Sequence, residues 1–204
     1  MNIVGLGQAG CNIAQILSQY PQYSIFKIDA DIEGDFDFID NYKESENKVK
    51  IYSVDKQAGP EEYEQNTPSM KDFFRGIKGE TLFIIGGSGY ISAMCLRIME
   101  QIKDKCEISV LYVRPDTSLL SKNKALQEKS TFKVLQEFAR SGLLQMIYLV
   151  SNTNLENILG DVPIIGYNNK INELIVSTVH MINVFKNSEP VMGKIEDPAE
   201  ASRI

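Results

Sequence analysis

Residues 83–99, FIIGGSGYISAMCLRIM, join an apolar strand to an apolar helix through a glycine-rich loop. The loop itself, residues 86–89, consists of three glycines and one serine. Glycine lets backbone N–H groups approach an anion closely, and a helix N-terminus adds unpaired amides and the positive end of its dipole. The stretch therefore predicts a phosphate-binding loop at the end of a buried strand.

A second loop of this kind opens the chain, in NIVGLGQAGCNIAQIL, residues 2–17. Gly5, Gly7 and Gly10 satisfy the spacing G-x-G-x-x-G between a short strand and a helix, as dinucleotide- and phosphate-binding loops require. For this stretch alone, the alternative is a tight turn without a ligand. Two glycine loops, however, imply two places where backbone amides face an anion.

Alternating apolar runs and helical patterns predict the fold. Six runs predict strands, at residues 3–4, 24–28, 48–54, 81–85, 107–113 and 145–150. Helical patterns occupy residues 11–20, 60–76, 91–104 and 121–141, and a last helix over about 166–185 is apolar all round, which predicts burial on all sides. We expect an α/β, doubly wound, mostly parallel six-stranded sheet followed by this long central helix. The polar segment 32–47 is interpreted as a solvated connection.

In the strand order usual for such sheets, 3-2-1-4-5-6, the first and fourth strands are neighbours. Both glycine loops then converge at the carboxyl end of the sheet, where a nucleotide with several phosphates fills the crevice. On this view a bulky residue at Gly10 or Gly87 abolishes nucleotide binding and leaves the fold intact.

Composition narrows the function classes. The chain has 204 residues, a net charge of −6, one histidine and three cysteines. The negative net charge gives no extended basic surface for nucleic acid, and no apolar run is long enough to span a bilayer. The odd number of cysteines fits a reducing cytoplasm better than a set of disulfides. With one histidine, His180, a zinc site is hard to build, so no protein metal site is expected, and His180 is interpreted as a hydrogen-bonded core or interface residue. Cys11 has no nearby base and is interpreted as packing rather than as a nucleophile.

A competing interpretation rests on Asp29, which lies 19 residues after Gly10 at the end of the second strand. Dinucleotide-binding folds place the acid that binds the adenosine ribose there. An NAD-binding or nucleotide-sensing module that does not polymerise is therefore the alternative function. A P-loop is excluded because the chain has no G-K-[ST].

Five motifs together resemble the GTP-binding domain of the tubulin/FtsZ family. They are GQAGCN (7–12), KQAGPEE (56–62), GGSG (86–89), VRPDTS (113–118) and YLVSNTNL (148–155). The resemblance implies that GTP or GDP is bound and that Mg²⁺ is held through the phosphates. The implied nucleotide-binding residues are Gly7, Gln8, Ala9, Gly10, Cys11, Asn12, Gly59, Gly86, Gly87, Ser88, Gly89, Tyr90, Asp116, Asn152, Tyr167 and Asn172.

Within this set the resemblance assigns base and sugar contacts. Asp116 is the ribose acceptor, and Asn152, with Asn154 second, recognises guanine. Tyr167 stacks on the base and Asn172 bonds its edge, although the family's base-reading position corresponds to Ile171. For the asparagines of residues 152–154 the alternative is turn chemistry, since asparagine readily bonds its own backbone.

The resemblance also implies self-association into nucleotide-dependent filaments of a cytoskeletal or partition type. An acidic loop after the central helix then completes GTP hydrolysis in a neighbouring subunit, and the candidate catalytic carboxylates are Glu189, Glu196 and Asp197. On this resemblance we expect a nucleotide-binding domain, 1–186, followed by an acidic tail, 187–204, without the family's second domain. Because the family's acidic pattern is incomplete, we expect the isolated chain to bind GTP and hydrolyse it weakly or not at all.

Overall fold

A computed structural model describes residues 1–30, 42–44, 49–160, 163, 165–189 and 192–193. Seven strands are found in that part of the chain, in the order β3-β4-β2-β1-β5-β6-β7. They are β1 (Asn2–Leu6), β2 (Ser24–Asp29), β3 (Tyr42–Glu44), β4 (Val49–Ser53), β5 (Gly79–Gly86), β6 (Cys106–Arg114) and β7 (Met146–Ser151). All neighbours pair in parallel except β3, which is antiparallel to β4. The six parallel strands confirm the predicted sheet and its order.

The short strand β3 corrects the interpretation of the segment 32–47 as a solvated connection. Residues 42–44 pair with Lys50–Tyr52 of β4, and the other residues of that segment lie outside the described ones. Without β3, β4 would be the edge of the sheet and would expose a row of unpaired N–H and C=O groups. A three-residue strand therefore suffices to cover that edge, and it leaves no apolar pattern to find in the sequence.

Six helices connect and cover the strands of the described chain. They are α1 (Gly7–Leu17), α2 (Pro60–Gln65), α3 (Cys95–Ile102), α4 (Lys122–Arg140), α5 (Asn152–Leu159) and α6 (Tyr167–Asn187), with 3₁₀ turns at Tyr90–Met94 and Thr117–Leu119. The helix predicted over 60–76 ends at Gln65. Pro68 explains the difference, because the residue before a proline is pushed away from helical dihedrals and proline lacks an N–H.

Two apolar layers hold the helices to the two faces of the sheet. On one face α3 and α4 pack against Phe83, Val110 and Tyr112. On the other face α1 and the first half of α6 pack against Ile3, Ile84 and Leu111. The chain thus has helices on both faces of a parallel sheet, which is the doubly wound arrangement predicted from the sequence.

The second half of α6 is not buried as its composition predicts. Ile171, Ile175 and Val176 lie in the core, but four apolar side chains beyond them are 42–61% exposed: Met181, Ile182, Val184 and Phe185. The expectation of burial on all sides is wrong for the described chain. Among the described elements, α6 packs chiefly against α1 and α5, and its buried residues in the first half share an apolar layer with the sheet, whereas these four side chains remain accessible.

His180 joins α6 to the connection between α1 and β2. Its ring stacks on Tyr20 with centroids 3.8 Å apart, and its Nδ1 lies 2.9 Å from the hydroxyl of Tyr23. The amide of Asn183 donates to the same hydroxyl at 3.1 Å. The histidine is therefore the hydrogen-bonded interface residue that the sequence predicts.

Candidate functional site

The candidate residues follow the carboxyl ends of four neighbouring strands. Leu6 at the end of β1 lies opposite Ile85 of β5, Gly86 lies opposite Val113 of β6, and Arg114 lies opposite Ser151 of β7. The residues that follow these ends are Gly7, Gly87, Asp116 and Asn152. Because parallel strands end at one edge, the register alone brings both glycine loops, the ribose candidate and the base candidate to the same side of the sheet.

The two glycine loops touch each other. A Cβ built on Gly86 would lie 3.3 Å from the Cβ of Ala9, and a Cβ built on Gly7 would lie 2.6 Å from Cγ2 of Ile91. The predicted convergence of the loops is confirmed. There is no separate loop after β1, however, because α1 begins at Gly7 and the GQAG segment is the first turn of the helix.

Gly10 and Gly87, where bulky substitutions were expected to block a ligand, are themselves constrained by packing. A Cβ on Gly10 would lie 2.3 Å from the carbonyl oxygen of Ile84, and a Cβ on Gly87 would lie 2.5 Å from the hydroxyl oxygen of Tyr112. The expectation that bulky residues here leave the fold intact is therefore wrong. The side chain would meet the protein itself, at the contact of α1 with β5 and beneath the second loop, before it met a ligand.

Other residues of the two loops are accessible and suited to an anion. Gln8, Ala9 and Asn12 are exposed on the first turns of α1, and Ser88 and Gly89 are partly exposed. The helix has no side-chain cap and no acidic residue in its own first turn, so no carboxylate of the helix itself offsets the positive end of its dipole. In the second loop the hydroxyl of Ser92 donates to the carbonyl of Gly86 at 2.6 Å, which fixes the turn.

Cys11 is a packing residue, as predicted. Its thiol is 5% exposed and donates to the carbonyls of Gly5 at 3.4 Å and Ile28 at 3.6 Å. Burial, and then the negative charge of Asp29, raises the pKa of the thiol to about 12. A thiol held neutral in this way cannot serve as a nucleophile near neutral pH.

Asp29 ends β2 at the same edge of the sheet, where the dinucleotide interpretation needs it. Its Oδ1 accepts the N–H of Ala30 at 2.8 Å. The carboxylate is therefore already committed in part to the backbone turn that follows β2.

The third candidate loop lies beside the second. Gly59 precedes α2, and α2 packs on the 3₁₀ turn Tyr90–Met94 that follows the second glycine loop. Two carboxylates, Glu61 and Glu62, occupy the first turn of α2, and Glu62 accepts the N–H of Ala58 at 3.1 Å. These acids leave the N-terminus of α2 less favourable for a phosphate than that of α1.

Asp116 caps the 3₁₀ turn after β6. Its Oδ1 accepts the N–H of Ser118 at 2.8 Å and the hydroxyl of Ser118 at 2.7 Å. These hydrogen bonds hold the pKa of the carboxyl below its usual value. The group is thus ionised and fixed in orientation, as an acceptor for a sugar hydroxyl must be.

Asn152 has an orphaned amide oxygen. It is the first residue of α5, where the sequence predicts a loop, and its Oδ1 is buried without a hydrogen-bond partner among the described residues. Its Oδ1 therefore makes no bond to the backbone of the turn, as the turn-chemistry alternative would require. Buried polar atoms are rarely left unpaired, because each one costs about 1–3 kcal/mol. Asn154, the second choice, is exposed.

Tyr167 begins α6 next to these groups. Its hydroxyl donates to the carboxylate of Glu156 on α5. Burial, then Glu156, raises the pKa of Tyr167 to about 12, and the negative charge of Asp116 contributes least to the rise. Asn172 follows Tyr167 by five residues and lies about 140° around the helix from it, so the two side chains do not share a face.

The candidate catalytic carboxylates lie far from this edge or outside the described chain. Glu189 is exposed and follows the end of α6, whose 21 residues span about 30 Å at 1.5 Å per residue. Tyr167 is at the other end of the helix. Within one subunit, Glu189 cannot reach the glycine loops. Glu196 and Asp197 are not among the described residues.

One cluster at the site was not predicted. Glu128 of α4 is 2% exposed, and its Oε1 lies 3.0 Å from Nε of Arg114 and 3.5 Å from the hydroxyl of Tyr112. The sequence could have indicated the burial of Glu128, because Thr131 and Leu135 follow it at helical spacing and lie on the same buried face of α4. A carboxylate on a buried stripe indicates a buried partner.

Searches for other kinds of site gave two results, both for the described residues alone. No group of three or more His, Cys, Asp or Glu side chains in the described ranges could hold a metal ion. None of the helices there has the length and apolar character needed to cross a bilayer.

No family model matches the sequence, and no curated protein matches it. Solved structures do resemble the fold. An empty FtsZ dimer from M. jannaschii superposes with a TM-score of 0.68 at 12% identity, over 94% of this chain and 56% of that one. GDP-form protofilaments of TubZ from Bacillus thuringiensis serovar israelensis give 0.65 at 14%, over 89% and 54%.

The phage tubulin PhuZ with GDP gives a TM-score of 0.60 at 16% identity, over 90% of this chain and 56% of that one. The chain thus spans just over half the length of the structures that it matches. The order of the strands, the two glycine loops at one edge and the long helix that follows agree with these likenesses. The chain has a divergent tubulin/FtsZ-like fold.

Proposed function

We propose that this chain binds GTP and GDP at the carboxyl edge of its sheet and self-associates into nucleotide-dependent filaments. The observation that carries the proposal is the buried Oδ1 of Asn152, which has no hydrogen-bond partner among the described residues and follows β7 at the same edge as both glycine loops. Guanine presents its N1–H and its 2-amino group side by side, and an amide oxygen accepts from such donors. A bound guanine would remove the cost of the orphaned oxygen.

The remaining groups have matching roles. The phosphates would lie against the amides of the first turn of α1 and of residues 86–89, the ribose would meet Asp116, and the ring of Tyr167 would lie against the base. Mg²⁺ neutralises phosphate charge, and the phosphate oxygens and water supply the oxygen ligands that it prefers. The proposal places the protein in the reducing cytoplasm, where its three thiols stay free.

Self-association is supported by the solved structures and by the length of α6. FtsZ is described as a dimer and TubZ as protofilaments. Because Glu189 is about 30 Å along α6 from the base candidate, any role for it in hydrolysis requires a second subunit. We also propose that residues 1–186 form the nucleotide-binding domain and that 187–204 form the acidic segment presented to a neighbour.

The test is ligand-induced stabilisation measured with GTP, ATP and NAD. A ligand that binds only the native state at one hundred times its dissociation constant adds about 2.7 kcal/mol, which raises Tm by roughly 5–10 °C for a chain of this size. We expect this rise with GTP. The Asn152→Ala variant should lose it, and Asn154→Ala, an exposed asparagine two residues away, should keep it. Stabilisation by NAD and not by GTP would establish the dinucleotide alternative, with Asp29 as its ribose ligand.

Filament formation is tested separately by sedimentation and light scattering. We expect GTP to raise the sedimenting fraction of the wild-type chain and the Asn152→Ala variant to show no such rise. Hydrolysis measured at increasing protein concentration should stay negligible, because the acidic pattern after α6 is incomplete. If GTP binds and scattering never changes, the filament part of the proposal fails and the binding part stands.

A further inference from the structure

A buried carboxylate lies directly beneath the second glycine loop. Glu128 is 2% exposed, and a Cβ built on Gly87 would lie 3.1 Å from its Cγ. The hydroxyl of Tyr112 donates to the backbone carbonyl of Glu128 at 3.2 Å, and a Cβ on Gly87 would lie 2.5 Å from that hydroxyl oxygen. Gly87 therefore rests on the side chains of these two residues.

Arg114 completes the cluster. Its Nε lies 3.0 Å from Oε1 of Glu128, its guanidinium lies 5.6 Å from the ring centroid of Phe132, and its side chain is 42% exposed. Arg114 is the last residue of β6, at the edge where the candidate nucleotide site lies. The ion pair thus extends from the buried face of α4 to the rim of the site.

Stability alone gives no reason for this arrangement. Removing a charge from water costs free energy that its partner only partly returns, and buried ion pairs can often be replaced by apolar residues without loss of stability. Glu128 is one of the buried residues of α4, together with Thr131 and Leu135, and an apolar residue there would pack beside Tyr112. Instead Glu128 contacts two neighbours: its Oε1 accepts from Nε of Arg114 and lies 3.5 Å from the hydroxyl of Tyr112, which also donates to the backbone carbonyl of Glu128.

The loop is also tied to β6 through its backbone. The N–H of Gly87 donates to the carbonyl of Val113 at 3.0 Å. Val113 lies between Tyr112 and Arg114, so the three consecutive residues of β6 support the loop from below. A shift of the Tyr112 or Arg114 side chain would therefore move the surface on which the loop rests.

We propose that Glu128 is a positioning residue for the second glycine loop. By holding Tyr112 and Arg114 in place, it sets the conformation of residues 86–89 and with it the direction of the amides that face a phosphate. The part of this inference that concerns phosphate rests on the proposed function, whereas the part that concerns the loop does not.

The test compares Glu128→Gln with Glu137→Gln. Both residues are glutamates of α4 paired with an arginine, but Glu137 and its partner Arg140 are both more than half exposed, which makes Glu137→Gln a matched control. The first measurement is amide hydrogen exchange of residues 88–90 without nucleotide. Loss of the charge-assisted contact should speed exchange about tenfold in Glu128→Gln and leave it unchanged in Glu137→Gln.

The second measurement is the affinity of the folded variants for a fluorescent GTP analogue. We expect about tenfold weaker binding in Glu128→Gln and wild-type binding in Glu137→Gln. Glu128→Asp keeps the carboxylate, so its amide exchange and its affinity for the analogue should both lie between those of Glu128→Gln and the wild type. A residue that only filled space would not produce this partial recovery. Tyr112→Phe removes only the hydroxyl beneath Gly87 and should change exchange in the same direction, so it decides the question if Glu128→Gln does not fold.

The outcomes separate the two proposals. If Glu128→Gln exchanges and binds like the wild type, the positioning role is refuted and nucleotide binding stands. If the wild type binds no GTP, the proposed function fails, and the exchange rates of the nucleotide-free protein still decide whether Glu128 positions the loop.

Discussion

Replacing Gly10 with alanine should destabilise the protein although the residue lies in a helix. The new Cβ would lie 2.3 Å from the carbonyl oxygen of Ile84, and real Cβ contacts essentially never fall below 3.0 Å. Both groups belong to rigid elements, so α1 must move away from β5 by about 0.7 Å. Overpacking of this kind costs about 1–3 kcal/mol, and a contact with backbone puts it near the upper end. Alanine returns up to about 1 kcal/mol of helix propensity.

The net expectation is a loss of about 2 kcal/mol of unfolding free energy, or roughly 4–8 °C in Tm. Gly89→Ala is the matched control in the other loop. Its φ of −79° suits alanine, and the new Cβ would meet Ser92 Oγ at 3.3 Å and Gly86 O at 3.9 Å. Urea denaturation without nucleotide measures both variants. Equal unfolding free energies for the two would refute the claim that Gly10 is fixed by the contact of α1 with β5.

Three further predictions concern the reactivity of the thiols, the stability of the fold at high pH and the contact of Tyr23 with α6. In native protein at pH 8, iodoacetamide should label Cys106 first, because Cys11 and Cys95 are buried with thiol pKa values raised to about 12; rapid labelling of Cys11, read by mass spectrometry, would contradict this. Keeping these two thiols protonated contributes stability that is fully present below the ordinary thiol pKa of 9.0 and is lost as the pH rises towards 12, since the unfolded chain releases protons that the folded chain keeps. The slope of unfolding free energy against pH, measured by urea denaturation, should therefore be negative in this range and shallower in Cys11→Ala. Tyr23→Phe removes the hydroxyl that meets His180 and Asn183 and should cost about 1–3 kcal/mol, whereas Ser177→Ala, on an exposed part of α6, should cost less than about 1 kcal/mol.

The sheet could be predicted because its parallel strands are buried on both faces. Such strands read as continuous apolar runs, as in TLFII at residues 81–85. The elements that were missed lack this signal. The strand β3 has three residues and depends on the edge of β4, and α5 begins at asparagines whose local chemistry favours a turn. The early end of α2 was readable from Pro68 and was overlooked.

The convergence of the two glycine loops at one edge of the sheet could be predicted, but the contacts that their residues make could not. Glycine spacing marks a close backbone approach without saying what approaches. For Gly10 the neighbour is the carbonyl of Ile84, and for Gly87 it is the hydroxyl of Tyr112, both supplied by strands distant in sequence. The burial of Glu128 and the exposure of the second half of α6 likewise depend on which faces the other elements cover. These two features are set by the packing of the folded chain, which the local sequence alone does not determine.

In the function proposed above, the geometry of α6 separates nucleotide binding from hydrolysis. The helix begins at Tyr167, which bonds Glu156 of α5, and its 21 residues span about 30 Å to the end next to Glu189. A water-aligning group must lie within hydrogen-bond reach of the attacking water, so a carboxylate after α6 can act only on a neighbour's nucleotide. Binding and catalysis then depend on different variables, ligand concentration for the first and subunit contact for the second. A chain with an intact binding edge and an incomplete acidic segment is therefore expected to retain affinity for nucleotide while its hydrolysis stays low.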